Sequence, residues 1–153
     1  MSTASSWCHW GLSDDVEERL YRCLASRRWA RAVALGAEPD EAMDQLTDEE
    51  WLQAMQAHPR IGERGGDSPA SSEREQSRAM RSSEATLAEL AAENRRYEER
   101  FGRVFLVFAS GRSAEEMLAE LRRRMNNDET TELQESKREL RKIVHLRLAQ
   151  LER

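Results

Sequence analysis

Apolar residues recur along this chain at intervals of three and four, the spacing of a helix with one buried face. Val16, Leu20, Cys23 and Leu24 form the first such stripe, and the acidic turn Asp14, Asp15 and Glu17 behind Ser13 predicts its N-terminus. "SRRWARAVALG" predicts a second short helix ending near Gly36, with Trp29 and Val33 inward. Thr47 and Glu50 have capping-box spacing and open a helix carrying Leu52 and Met55. That helix stops near His58, because Pro59 disfavours the α conformation in the residue before it. Leu87, Leu90, Ala91, Asn94 and Phe101 mark a longer helix ending at Gly102. Ser113 and Glu116 repeat the capping box before Met117, Leu118, Leu121 and Met125, all expected to be buried. A last helix spans roughly 129–150, with Leu133, Leu140, Val144, Leu148 and Leu151 on its apolar stripe.

Between these helices the pattern weakens. Residues 1–12 have little periodicity and are expected to be loosely ordered, with Trp7 and Trp10 available for packing. Residues 63–72 read as a loop, with another helix starting near Ser72. The run "VFLVF", 104–108, is bounded by Gly102 and Ser110-Gly111, and periodicity leaves strand-like and helical readings open. The expected fold is all-α: a single compact multi-helix domain over 13–153, with 104–108 as the one short segment that could be extended. There are no repeats and no linker long enough to divide the chain.

Composition sharpens this picture. The chain has 153 residues, enough for one domain, but only 26 are Val, Ile, Leu or Phe. The core is therefore thin, which fits a fold supplemented by self-association. The net charge of −5 and the interleaving of arginine with glutamate, as in "ELRRRMNND", point to solvated helix faces and against a nucleic-acid partner. No apolar run approaches the ~18 residues of a membrane span. "MSTASSWCHWGL" lacks the pattern of a signal peptide, and "QLER" is not a peroxisomal ending. Cys8 and Cys23 form no metal or redox motif. The expected location is the cytoplasm.

Three features admit chemical as well as structural readings. His58 is either a helix terminator bonding the last carbonyls or an acid/base group. Ser72-x-x-Glu75 is either a capping box or a means of pointing the Glu75 carboxylate across a cleft toward His58. Arg147 lies within about 40° of the last helix's apolar stripe, so it either snorkels outward or meets a carboxylate of protein or substrate. His9, His58 and His145 share no ligand spacing, and there is no phosphate loop or nucleophile elbow. An enzyme built from these residues is expected to be polar in its chemistry, with no metal and no cofactor.

In order along the chain stand "CLASRRWA", "WLQAMQAHPRIGE", "SSEREQ", "ENRRYEERFGRVFLVFASGRSAEEMLAEL", "RRRMNNDETTEL" and "RKIVHLRLAQL". Together they closely resemble the OHCU decarboxylases, which act on 2-oxo-4-hydroxy-4-carboxy-5-ureidoimidazoline in uric acid degradation. The resemblance covers residues 20–151. It implies an all-α, generally dimeric, cofactor-free enzyme that converts OHCU to (S)-allantoin and carbon dioxide, working with urate oxidase and hydroxyisourate hydrolase. It also implies that His58 and Glu75 are catalytic and that Arg147 binds substrate. Ser72 and Gln76 fall on ligand-contacting positions, Pro59 lies beside the catalytic histidine, and Phe108, Ala109, Ser110 and Gly111 fall on the segment lining the ring pocket. Two departures stand out: Ser77-Arg78 replace residues that are usually small, and the stretch between Trp29 and Trp51 is short. The competing expectation is a non-catalytic helical protein that keeps the fold and binds a ureide or scaffolds a ureide enzyme.

Overall fold

The computed structural model describes residues 14–58 and 84–151. All regular structure among them is helical: α1 Asp14–Cys23, α2 Arg27–Ala34, α3 Pro39–Asp44, α4 Asp48–Met55, α5 Glu84–Phe101, α6 Ala114–Arg124 and α7 Glu129–Leu151. The all-α expectation therefore holds. None of these helices is long and apolar enough to cross a membrane. The N-terminal stretch 1–12, the Ser13 cap, the loop at 63–72 and the helix expected near Ser72 lie outside the described residues.

The contacts divide the chain into two compact units. The first contains α1 to α4 and the end of α7 from Val144. Its buried side chains include Val16, Leu20, Cys23, Leu24, Trp29, Val33, Met43, Trp51 and Met55, so the expected α1 stripe is inward as a whole. Here α1 packs on α2 and α2 on α3. Ser26 caps α2 by accepting from the Trp29 N–H. At the other end Gly36 takes φ 113°, its N–H donates to Val33 O and the Ala37 N–H donates to Ala32 O. This pair of bonds is a Schellman stop, and it needs the left-handed conformation that glycine adopts at no steric cost.

The short helix α3 was not anticipated. Pro39 occupies its first position and the Glu38 side chain caps it, but six residues hold too few apolar positions to show a period. Its backbone anchors the core through Pro39 O, which accepts from Trp29 Nε1 at 3.0 Å.

Both arms of the Thr47–Glu50 capping box form. Glu50 also receives Arg28 as a two-point ion pair, Nε to Oε2 and Nη2 to Oε1, each 2.9 Å. Those bonds, with the Thr47 backbone N–H, hold the Glu50 carboxyl down to about 2. Since the folded value lies below the unfolded ~4.3, the pair stabilises the fold above that pH and loses its effect as pH falls toward 2. Glu50→Gln is thus expected to lower the thermal midpoint at neutral pH by a few degrees. The gap to the parent protein should close between about pH 4.3 and 2 in a series of melts. A gap that stays constant across that range would contradict this assignment.

The second unit runs from His58 to Ile143 and contains α5, α6 and the first part of α7. α5 packs on α6 around Leu90, Tyr97, Phe105, Val107, Ala109, Met117, Leu118 and Leu121. Two details of α5 differ from the expected stripe: Ala91 is exposed, and Tyr97 is fully buried beside Phe101 and edge-on to Phe105. Met125 is half-buried rather than buried. Residues 104–109 form neither helix nor strand; they are an irregular, largely buried strap with Phe105, Leu106, Val107 and Ala109 inward.

Arg103 enters that strap with its side chain almost fully buried. Nη1 donates to Phe101 O and to the exposed Glu129, while Nε and Nη2 meet no acceptor among the described residues. Each buried donor left unmatched costs about 1–3 kcal/mol. Arg103→Met, which keeps most of the aliphatic volume, is therefore expected to raise or leave unchanged the denaturant midpoint; a clear drop would contradict the assignment.

Candidate functional site

His58 lies just beyond α4, whose last turn closes through the Gln56 N–H to Leu52 O and the Ala57 N–H to Ala54 O. The helix has ended before the imidazole, as the following proline predicts, and His58 is only 9 % exposed. Pro59, Ser72, Glu75, Gln76, Ser77 and Arg78 lie outside the described residues.

Arg147 projects from the C-terminal part of α7 and is 7 % exposed, so it does not snorkel to solvent. Its Nη1 lies 3.4 Å from Arg22 O within the first unit. The neighbouring His145 is exposed and pairs with Asp40 at 3.1 Å.

The segment expected to line a ring pocket is well described. Phe108 is half-buried and Ala109 buried, while Ser110 and Gly111 are exposed. Ala109 O accepts the Arg112 N–H at 3.0 Å, closing a turn with Gly111 at its third position and φ 77°. That position in a type II turn requires positive φ, which explains the glycine. The Phe108 N–H donates to Glu139 Oε1 at 2.8 Å.

Behind this segment is a buried polar cluster that the sequence reading missed. Arg124, read as part of a solvated face, is 0 % exposed, as is Glu132. Arg124 Nε donates to both Glu132 oxygens at 3.1 and 2.9 Å, and Nη2 donates to Glu132 and to Ser136 Oγ. Nη1 reaches Leu106 O at 2.6 Å, and the guanidinium covers the Phe105 ring at 4.7 Å. Tyr97 OH donates to the same Glu132 carboxylate. Burial, followed by that carboxylate, raises the Tyr97 hydroxyl well above its usual range. For Arg124 burial acts downward, but Glu132 outweighs it and the guanidinium is held more firmly protonated than usual. Arg124 follows Met117 and Leu121 at helical spacing, so its position in the stripe was the available signal.

The described residues contain no group of three or more His, Cys, Asp or Glu suited to a metal. Cys23 is buried, and its thiol donates to Arg19 O at 3.6 Å. A surface cleft of about 270 Å³ lies between α2 and α3, lined by Arg28, Trp29, Glu41 and Gln45 among others. It contains none of the candidate site residues named from the sequence.

Comparison with known proteins converges on one family. The family model described as OHCU decarboxylase matches residues 11–149, running through both units. A 2-oxo-4-hydroxy-4-carboxy-5-ureidoimidazoline decarboxylase of Haloferax volcanii is 32 % identical over 134 residues, covering 84 % of this chain and 77 % of that protein. The uric acid degradation bifunctional protein TTL of Arabidopsis thaliana is 39 % identical over 114 residues, 71 % of this chain. Those residues make up 35 % of the plant protein, so the chain spans about a third of it. A crystal structure of OHCU decarboxylase in the presence of (S)-allantoin superposes with a TM-score of 0.76 at 33 % identity, covering 88 % of this chain and 96 % of that one.

Proposed function

Because the chain belongs to the OHCU decarboxylase family, a family of carboxy-lyases, we propose that it removes carbon dioxide from OHCU and leaves (S)-allantoin. The observation carrying this reading is the family match over 11–149, supported by the likeness to a decarboxylase crystallised with (S)-allantoin.

The substrate chemistry requires little of the protein. The departing carboxylate sits on a carbon bearing a hydroxyl and adjoining a ring C=N bond. As the C–C bond breaks, its electron pair forms a double bond to the neighbouring ring carbon and the C=N pair moves onto the ring nitrogen, which takes up a proton, so the substrate supplies its own electron sink. The hydroxyl then loses its proton and becomes a carbonyl, while the neighbouring ring carbon gains a proton on one face. The protein must orient the carboxylate, accept the hydroxyl proton and restrict protonation to that face.

In this reading His58 bonds the hydroxyl or carboxylate and accepts the proton. Its burial beyond the end of α4 supports that role by excluding bulk water from the imidazole. Glu75 orients the ring or ureido group and takes part in proton transfer, with Ser72, Gln76 and Pro59 beside the ligand; these four roles rest on the family resemblance. Arg147, buried on α7, holds a carboxylate or carbonyl oxygen. Backbone groups of Phe108, Ala109, Ser110 and Gly111 fix the ring. The reaction uses no cofactor. The same reading extends to a cytoplasmic homodimer coupled functionally to urate oxidase and hydroxyisourate hydrolase; of these, the thin core supports self-association alone.

The test generates OHCU in place from urate with those two enzymes and follows circular dichroism of the allantoin formed. Acceleration over the blank with a single-sign signal is expected. Loss of OHCU at the blank rate would refute the proposal, and binding of (S)-allantoin without turnover would favour a non-catalytic ureide-binding protein.

A further inference from the structure

The strap between α5 and α6 has no strand partner among the described residues, and side chains satisfy buried backbone groups in it. Two do so at nearly adjacent points: Arg124 on Leu106 O at 2.6 Å and Glu139 on the Phe108 N–H at 2.8 Å. The two anchors differ in what else they do. Arg124 is embedded in the Glu132–Ser136–Tyr97 cluster and is part of the core. Glu139 lies midway along α7 and outside that cluster: one oxygen takes the Phe108 N–H, and the other takes Lys142 Nζ at 2.9 Å. Phe108 is also the last residue held before the Ala109–Arg112 turn, so its amide sets the direction in which that turn leaves the core.

We propose that Glu139 is a positioning residue for the reaction: by holding the Phe108 N–H it aims the backbone of 109–111 at the substrate ring. This rests on the decarboxylase reading, in which that segment lines the ring pocket. A carboxylate suits the task because a charge-assisted bond to an amide is roughly twice as strong as a neutral one. Lys142 assists by occupying the second oxygen, which leaves the first turned toward Phe108. The arrangement also refines the ring contacts. The Phe108 N–H is engaged within the protein, so contact there falls to the carbonyl or to the amides that follow.

Glu139→Ala removes the acceptor and Glu139→Gln keeps it. In the full chain, Glu139→Ala is expected to lower kcat about 10- to 100-fold, with KM changed less than about threefold, because orientation rather than binding is lost. Its Phe108 amide should exchange with solvent about tenfold faster or more, while the thermal midpoint moves by only a few degrees. Glu139→Gln should retain both the slow exchange and most of the turnover. Parental turnover in Glu139→Ala overturns the proposal. So does a Glu139→Gln variant as slow as Glu139→Ala with its Phe108 amide still protected, since the carboxylate would then act by another route. If the parent protein itself forms no allantoin, the decarboxylase reading fails and the positioning role falls with it. The exchange comparison then decides separately whether Glu139 anchors the strap.

Discussion

Arg124→Ala is expected to destabilise the protein by about 3–5 kcal/mol, the usual cost of leaving one partner of a buried ion pair without the other. For a chain of this length that corresponds to a fall in thermal midpoint of roughly 6–20 °C. Glu132, 0 % exposed, would keep hydrogen bonds from Tyr97 and Asn127 but lose its counter-charge. Leu106 O would lose this donor and the strap one of its anchors. Arg123→Ala is the control. Arg123 pairs with both Glu120 and Glu135, yet its side chain is 54 % exposed, so the change should cost under about 1 kcal/mol. Urea unfolding of both variants checks the pair. Equal midpoints would mean that burial of the Arg124–Glu132 pair is not what sets its contribution.

His58→Asn is expected to abolish nearly all of the acceleration of OHCU decarboxylation, a loss of about 10²–10⁴-fold in kcat if the imidazole is the proton acceptor. Asparagine retains hydrogen-bonding capacity but cannot take a proton at neutral pH. Because α4 ends at Met55, the substitution interrupts no helix, and the thermal midpoint should shift by only a few degrees. Measuring turnover and melting on the same preparation separates a chemical loss from unfolding. A His58→Asn protein that still yields optically active allantoin at the parental rate would remove His58 from the mechanism while leaving the family membership intact.

Much of the fold was legible because it rests on interactions within a few residues of chain. The Thr47–Glu50 and Ser113–Glu116 boxes each join positions three apart, and both form as read. The stop at Gly36 joins residues within five positions and depends only on a glycine's access to positive φ. The stripes Val16–Leu20–Cys23–Leu24 and Leu133–Leu140–Val144–Leu148 turned inward because burying them removes apolar area from water whatever they meet. The candidate site was legible differently. His58, Glu75 and Arg147 stood out only weakly by spacing, and their combined meaning came from an ordered set of motifs.

What local pattern could not reach was the choice among similar residues. Arg122, Arg123 and Arg124 are chemically alike and all complement the C-terminal end of α6, yet only Arg124 faces inward. The choice depends on Glu132 beyond a turn, Tyr97 on another helix and Leu106 O on the strap, which share no short-range signature. The "VFLVF" run likewise became neither strand nor helix, because the cluster and Glu139 satisfy backbone groups that a sheet or helix would otherwise satisfy. By itself, then, the sequence determined the helix ends marked by the two capping boxes, by Gly36 and by Pro59, most of the buried apolar stripes, and the family to which the chain belongs. Tertiary structure alone decided which charges are buried and how the strap is aimed, since desolvated ion pairs form only where the fold brings distant partners together.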